Sequence, residues 1–143
     1  MSLAGAIIKQ RLGEVAGVTG IVGAPPNDRI HKFWVPQKPT YPAIAYKQIA
    51  SRRLQGTYDD PGYAVVTVLV LCLAETADAA DALAEQVRLA LERFGSNQPA
   101  GIPYAGTTLY DIKPGSSAEG FDDDAKAFFV SGDWEVHHLE TTP

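Results

Sequence analysis

"YAVVTVLVLCLA", residues Tyr63–Ala74, is the stretch on which the fold turns. Read as a strand through Leu73, it sets Val65, Leu69, Leu71 and Leu73 on one face and Ala64, Val66, Val68, Val70 and Cys72 on the other. Both faces are apolar, and only Thr67 interrupts them. Continuous apolar runs of this kind mark strands covered on both sides. At ~3.3 Å per residue the strand is about 36 Å long, and the apolar run Tyr63–Ala74 falls far short of the ~20 residues that span a bilayer as a helix. The cover for each face must come from the rest of the chain or from outside it.

Upstream, Ala43–Ser51 alternates as a first strand, with Ile44, Tyr46 and Gln48 opposed to Ala45, Lys47 and Ile49. Pro42 stands at its threshold, where a fixed φ and a missing donor suit a first strand residue or an edge. Arg52 and Arg53 close it, and "LQGTYDDPG" turns the chain into the second strand. Before all this, Leu3, Ile7, Ile8, Leu12 and Val15 recur at helical spacing, with Ser2 as an N-cap and Gly13, Gly17 and Gly20 marking the helix end. The intervening segment, residues 18–42, carries prolines at 25, 26, 36, 39 and 42 and reads as a long loop. It also holds Phe33 and Trp34, costly side chains to leave in water. Long loops inside compact domains are commonly functional.

Downstream, Glu75 and Thr76 open a second helix and Gly95 follows it. Its stripe is Ala80, Leu83, Ala84, Val87, Leu91 and Phe94, and its acidic first turns suit the helix dipole. A third strand is expected over Thr107–Lys113, a flexible connection over "PGSSAEGFDDD", and a fourth strand from Ala125 to about His138. In the fourth, Phe128, Val130, Trp134 and Val136 share a face, the alternation of a half-solvated antiparallel strand.

The order α-β-β-α-β-β predicts an α+β fold: a four-stranded, antiparallel or mostly antiparallel sheet with two helices packed on one face. Residues 1–143 are read as one domain, since composition is ordinary at 45% hydrophobic and 20% charged residues. Two helices cover one face only. The second face of Tyr63–Leu73 therefore calls for a neighbouring subunit, or for the loop with Phe33 and Trp34 to fold back over it.

Charge and composition exclude several function classes. A net charge of -5 is the wrong sign for a protein that coats nucleic acid. The lone Cys72 allows no internal disulfide and no thiolate zinc site. No signal peptide is read in "MSLAGAIIKQRLGEV", and the expectation is a soluble, cytosolic protein. His137 and His138 are strand neighbours, so they point to opposite faces and do not chelate one ion together. The runs Asp59–Asp60 and Asp122–Asp124 lack the spaced ligands and glycine of a calcium loop. "GVTGIVG" lacks the Lys-Ser/Thr ending of a phosphate-binding loop, and "GSSAEG" is no nucleophile elbow. No catalytic residue, cofactor or metal is predicted.

The cations remain: Arg29, Lys32, Lys38 and Lys47 lead up to Arg52 and Arg53. They read either as a solvated strand end or as a basic rim that meets an acidic surface on a partner, the acidic loops of a second copy included. Such self-complementarity is what a heterologous, ring-closing contact requires. The candidate interface residues are Arg29, His31, Lys32, Phe33, Trp34, Arg52 and Arg53.

The opening helix, "VTGIVG", "RIHKFWVPQKPTYPAIAYKQI", the apolar strand, "AETADAADALAEQVRLALERF" and the closing "FFVSGDWEVHH" together resemble the tail-completion proteins of tailed phages and prophages, which include tail terminators and head-to-tail joining proteins. The residues that carry the resemblance are Gly23, Arg29, Ile30, Pro36, Gln37, Tyr41, Pro42, Ala43, Ile44 and Tyr46. Two departures stand in the loop: "APPND" separates Gly23 from Arg29, and His31 replaces an aromatic. The resemblance implies a virion protein that forms a ring, often a hexamer, at the head-proximal end of a tail, made in the host bacterial cytoplasm. It implies as partners further copies of itself, the tail-tube protein and a head-completion or connector protein, with DNA passing through the channel without specific binding, and neither a membrane nor a cofactor. The rival readings are a monomeric binding module with an aromatic loop and a small-molecule enzyme on an antiparallel sheet.

Overall fold

The computed structural model describes residues 3–23, 28–33, 40–54, 63–98, 100–124 and 126–139. Among them the chain forms α1 (Leu3–Glu14), α2 (Ala16–Val22), β1 (Ile30–Lys32), β2 (Ala43–Leu54), β3 (Tyr63–Ala74), α3 (Ala77–Leu91), β4 (Ile102–Tyr104), β5 (Thr107–Asp122) and β6 (Ala127–Leu139). The strands make one sheet in the order β1-β2-β3-β6-β5-β4. Every pairing is antiparallel except that of β1 with β2. The fold is α+β, as expected, and β3 lies inside the sheet between β2 and β6.

Several details depart from expectation. The sheet has six strands rather than four, and three helices rather than two accompany it among the described residues. The segment read as a loop from residue 18 begins inside α2 and contains β1. Residues 114–122, read as a flexible connection, continue β5 and pair with β6 as far as Asp122↔Ala127. The composition of that segment opposes a strand, but backbone ladder bonds to β6 do not depend on side chains. A register shift between Pro114 and Ser117 absorbs the proline, which an outer strand tolerates because one side of it needs no donor. β4 pairs only with Thr107–Leu109, and β1 only with Ile44–Tyr46.

One face of the sheet carries the core. Ile44 and Tyr46 of β2, Ala64, Val66, Val68, Val70 and Cys72 of β3, Ile112 of β5 and Trp134 and Val136 of β6 pack with Ile7, Ile8 and Leu12 of α1, Val18 and Val22 of α2, and Leu83, Val87 and Leu91 of α3. α3 starts where Thr76 accepts the Ala79 N–H at 3.1 Å, an N-cap that satisfies one orphan donor. Arg11 ties α1 to the end of α3: its Nε donates to the Ala90 carbonyl oxygen at 2.8 Å and its guanidinium lies 3.9 Å from the centre of the Phe94 ring. Gly17 of α2 leaves room for the Gln86 side chain of α3, since a Cβ there would stand 2.1 Å from Gln86 Oε1. On the opposite face Val65 and Leu73 are buried, whereas Leu69 and Leu71 are half-buried. Ile49 of β2, on the same face, is exposed, so that face is partly open.

Candidate functional site

The sheet has two unlike ends. At the β1–β2 end, the charged side chains on the strands themselves are all cations: Lys32 on β1 and Lys47, Arg52 and Arg53 on β2. Lys32, Lys47 and Arg52 are exposed. Arg53 is placed by its backbone, opposite Ala64. Phe33, immediately after β1, is 56% exposed, with its amide donating to the Tyr46 carbonyl oxygen at 2.8 Å. Its φ of +76° is rare for a bulky side chain. Lys32 Nζ lies 5.3 Å from the centre of its ring.

The other predicted residues of this end divide. Arg29 faces inward: its Nε donates to the Pro42 carbonyl oxygen at 2.8 Å and its Nη2 to that of Ile21 at 2.7 Å. It clasps the end of α2 to the start of β2, and the Tyr41–Pro42 peptide at that point is cis. Asp28 beside it pairs with Lys9 of α1. His31 is half-buried on β1, and burial with the nearby Lys9 charge holds its imidazole below the usual histidine range. Trp34, with Pro36, Gln37, Lys38 and Pro39, lies outside the described residues.

At the far end, α3 and the β5–β6 hairpin enclose a groove. One part, a cavity of 430 Å³, is lined by Ala84 and Val87 of α3, Ser116 and Ser117 of β5, and Gly132 and Trp134 of β6. A second, of 390 Å³, continues it past Ala77, Glu119, Phe121 and Phe128. The two share Asp81 and Val130. Phe121 is half-exposed and meets Phe128 edge-on with ring centres 5.0 Å apart. The floor is thus apolar and the rim acidic. Of the rim carboxylates, Glu85 is held by Arg88 at 2.6 Å, which lowers its pKa; Asp81 and Glu119 have no ion pair among the described residues.

Sequence reading did not find this groove. Its walls lie 30 to 50 positions apart in the chain, and its space comes from small side chains at Ala84, Ser117 and Gly132.

Among the described residues no group of three or more His, Cys, Asp and Glu is placed to hold a metal ion. His137 and His138 take opposite faces, opposed to Val65 and Ala64 across the ladder. Cys72 is buried, and burial pushes its thiol up to about 12. No helix of the described residues is long and apolar enough to cross a membrane.

Residues 6–130 match the family described as tail completion protein gp17. The chain belongs to this family. It is a structural protein of phage-type virions, in agreement with the resemblance read from its sequence. Among solved structures, a chain from the "Virion of native gene transfer agent (GTA) particle" superposes with a TM-score of 0.68 at 16% identity, covering 97% of this chain and 98% of that one. At that identity the likeness speaks for the fold. Curated protein sequences give no match.

Proposed function

We propose that this tail completion protein forms a closed ring, six copies in the form the resemblance implies, at the head-proximal end of a phage-type tail. The ring ends tail-tube polymerisation and offers the connector proteins of the filled head a surface to join. Family membership over residues 6–130 carries the reading, and the sheet supports it. β2 beyond Tyr46 and β5 beyond Leu109 have a strand on one side only among the described residues. Open edges of that kind are a liability unless a partner or a charge covers them. Because the basic surface and the acidic groove lie at opposite ends of the sheet, they suit a head-to-tail contact between neighbouring copies. Arg52 and Arg53 close β2 at such an edge. DNA passes through the ring, which an acidic protein leaves free to slide.

Electron micrographs of particles made without this protein test the role. Tubes of uncontrolled length, or tails and filled heads that fail to join, are expected. Particles with normal joined tails contradict it.

A further inference from the structure

Pairing across the sheet can be followed row by row. Lys32 of β1 stands opposite Tyr46, Tyr46 opposite Val70, Val70 opposite Gly132, and Gly132 opposite Ser117 of β5. The row begins at an exposed cation followed by an exposed aromatic, and it ends in the wall of the groove. Phe33 is an exposed apolar side chain beside β1, on a left-handed backbone that bulky residues rarely adopt. The groove offers the complement: Val130, Gly132, Trp134 and the Phe121–Phe128 pair as floor, with Asp81 on α3 and Glu119 on β5 as anionic walls.

We infer that Lys32 and Phe33 of one copy dock in the groove between α3 and the β5–β6 hairpin of the next copy, and that this contact joins the ring. The inference rests on the ring reading above and names its joint. Burial of Phe33 against Trp134 and Phe128 supplies the apolar part, and buried aromatics and cations are the usual anchors of an interface. Lys32 reaches Asp81, with Glu119 on the facing wall; neither is engaged by a cation among the described residues. Glu85 stays with Arg88 and closes the rim. The two surfaces lie at opposite ends of one sheet, so the contact is heterologous: each copy gives its knob to one neighbour and its groove to another. Such a contact continues until rotation closes it.

Photo-cross-linking reads the joint directly. Phe33 is replaced by p-benzoylphenylalanine, which keeps the aromatic body, and isotopically heavy and light copies are mixed so that adducts between copies are recognised by mass. Adducts between copies that map to Asp81–Arg88 or to Gly115–Trp134 are expected. In parallel, Lys32→Glu and Asp81→Lys, both at exposed positions, each weaken assembly about tenfold, and the double variant recovers most of the loss. An assembled protein whose adducts map elsewhere, or a double variant weaker than both singles, overturns the joint while leaving the ring. A wild-type protein that stays monomeric with and without its tail-tube protein overturns both.

Discussion

Arg29 donates from Nε to the Pro42 carbonyl oxygen at 2.8 Å, while its Nη2 reaches that of Ile21 at 2.7 Å. One guanidinium thereby fixes where α2 ends and where β2 begins, and through them the position of β1 with Lys32 and Phe33. Residue 29 was read from sequence as one of several interface cations. In the fold its charge is turned inward, so we assign it to holding the basic end in place.

Arg29→Ala is expected to lower folding stability by about 2 kcal/mol, since hydrogen bonds from a charged donor are worth roughly 1.5–3 kcal/mol each and water replaces part of the loss. Arg29→Lys keeps the charge but not the planar fork, and recovers no more than about half. Urea unfolding of the two variants beside wild type checks both, with an unchanged midpoint in Arg29→Ala as the contrary result.

His138 leads to a gain. Its Nδ1 lies 2.9 Å from the Leu139 carbonyl oxygen, so that nitrogen carries the hydrogen, and Nε2 is buried with no partner among the described residues. An unmet buried acceptor costs about 1–3 kcal/mol. The Leu139 carbonyl also accepts from Thr107 Oγ1, so it is not orphaned by loss of the ring. His138→Leu is expected to raise stability by about 1 kcal/mol, read as a higher thermal midpoint; a lower one shows that the imidazole is better satisfied than its geometry indicates.

Much of this architecture was legible in the sequence, and the reasons differ by element. β3 announced itself because its core face is wholly apolar and its second face, buried at Val65 and Leu73, is apolar as well. α3 did so through its stripe and its Thr76 cap. α2 was missed because Gly17 and Gly20 look like helix ends; Gly17 instead makes room for the Gln86 side chain. The second half of β5 was missed because Pro114, Gly115, Ser116, Ser117 and Gly120 belong to loops by propensity. Pairing with β6 overrides that preference, and the Phe129 ring covers Gly120 from the facing strand, 3.1 Å from where a Cβ would stand. β1 and β4, at three residues each, are too short to show a period. Of the proposed contact, Lys32 and Phe33 are neighbours in sequence, so a sequence pattern can single them out. The groove is built from α3 and a hairpin, and no local pattern announces it.

Cys72 gives the fold an alkaline limit. Its thiol is pushed up to about 12 by burial in β3, whereas in the unfolded chain it titrates near 8.5. Between those values the unfolded state has lost a proton that the folded state retains, so stability falls as pH rises from about 8.5 toward 12. Cys72→Ala or Cys72→Val removes the part of that slope that begins at about 8.5, while Tyr41, Tyr46 and Tyr104, also raised by burial, keep theirs at higher pH; alanine also leaves a small cavity. Unfolding midpoints across this pH range check the sign. At pH 8, a thiol reagent is expected to modify Cys72 only as fast as the protein opens, and rapid labelling of the native state contradicts its burial.

The head-to-tail contact between unlike ends of the sheet is tested most directly by the mass of the assembled protein in solution. Light scattering behind a sizing column, run over a range of concentrations with and without the tail-tube protein, is expected to give one discrete closed species well above two copies, lost in Lys32→Glu and restored by adding Asp81→Lys. A species that stops at two copies requires a two-fold contact that these ends do not make. That result, or a monomer under every condition, contradicts the account.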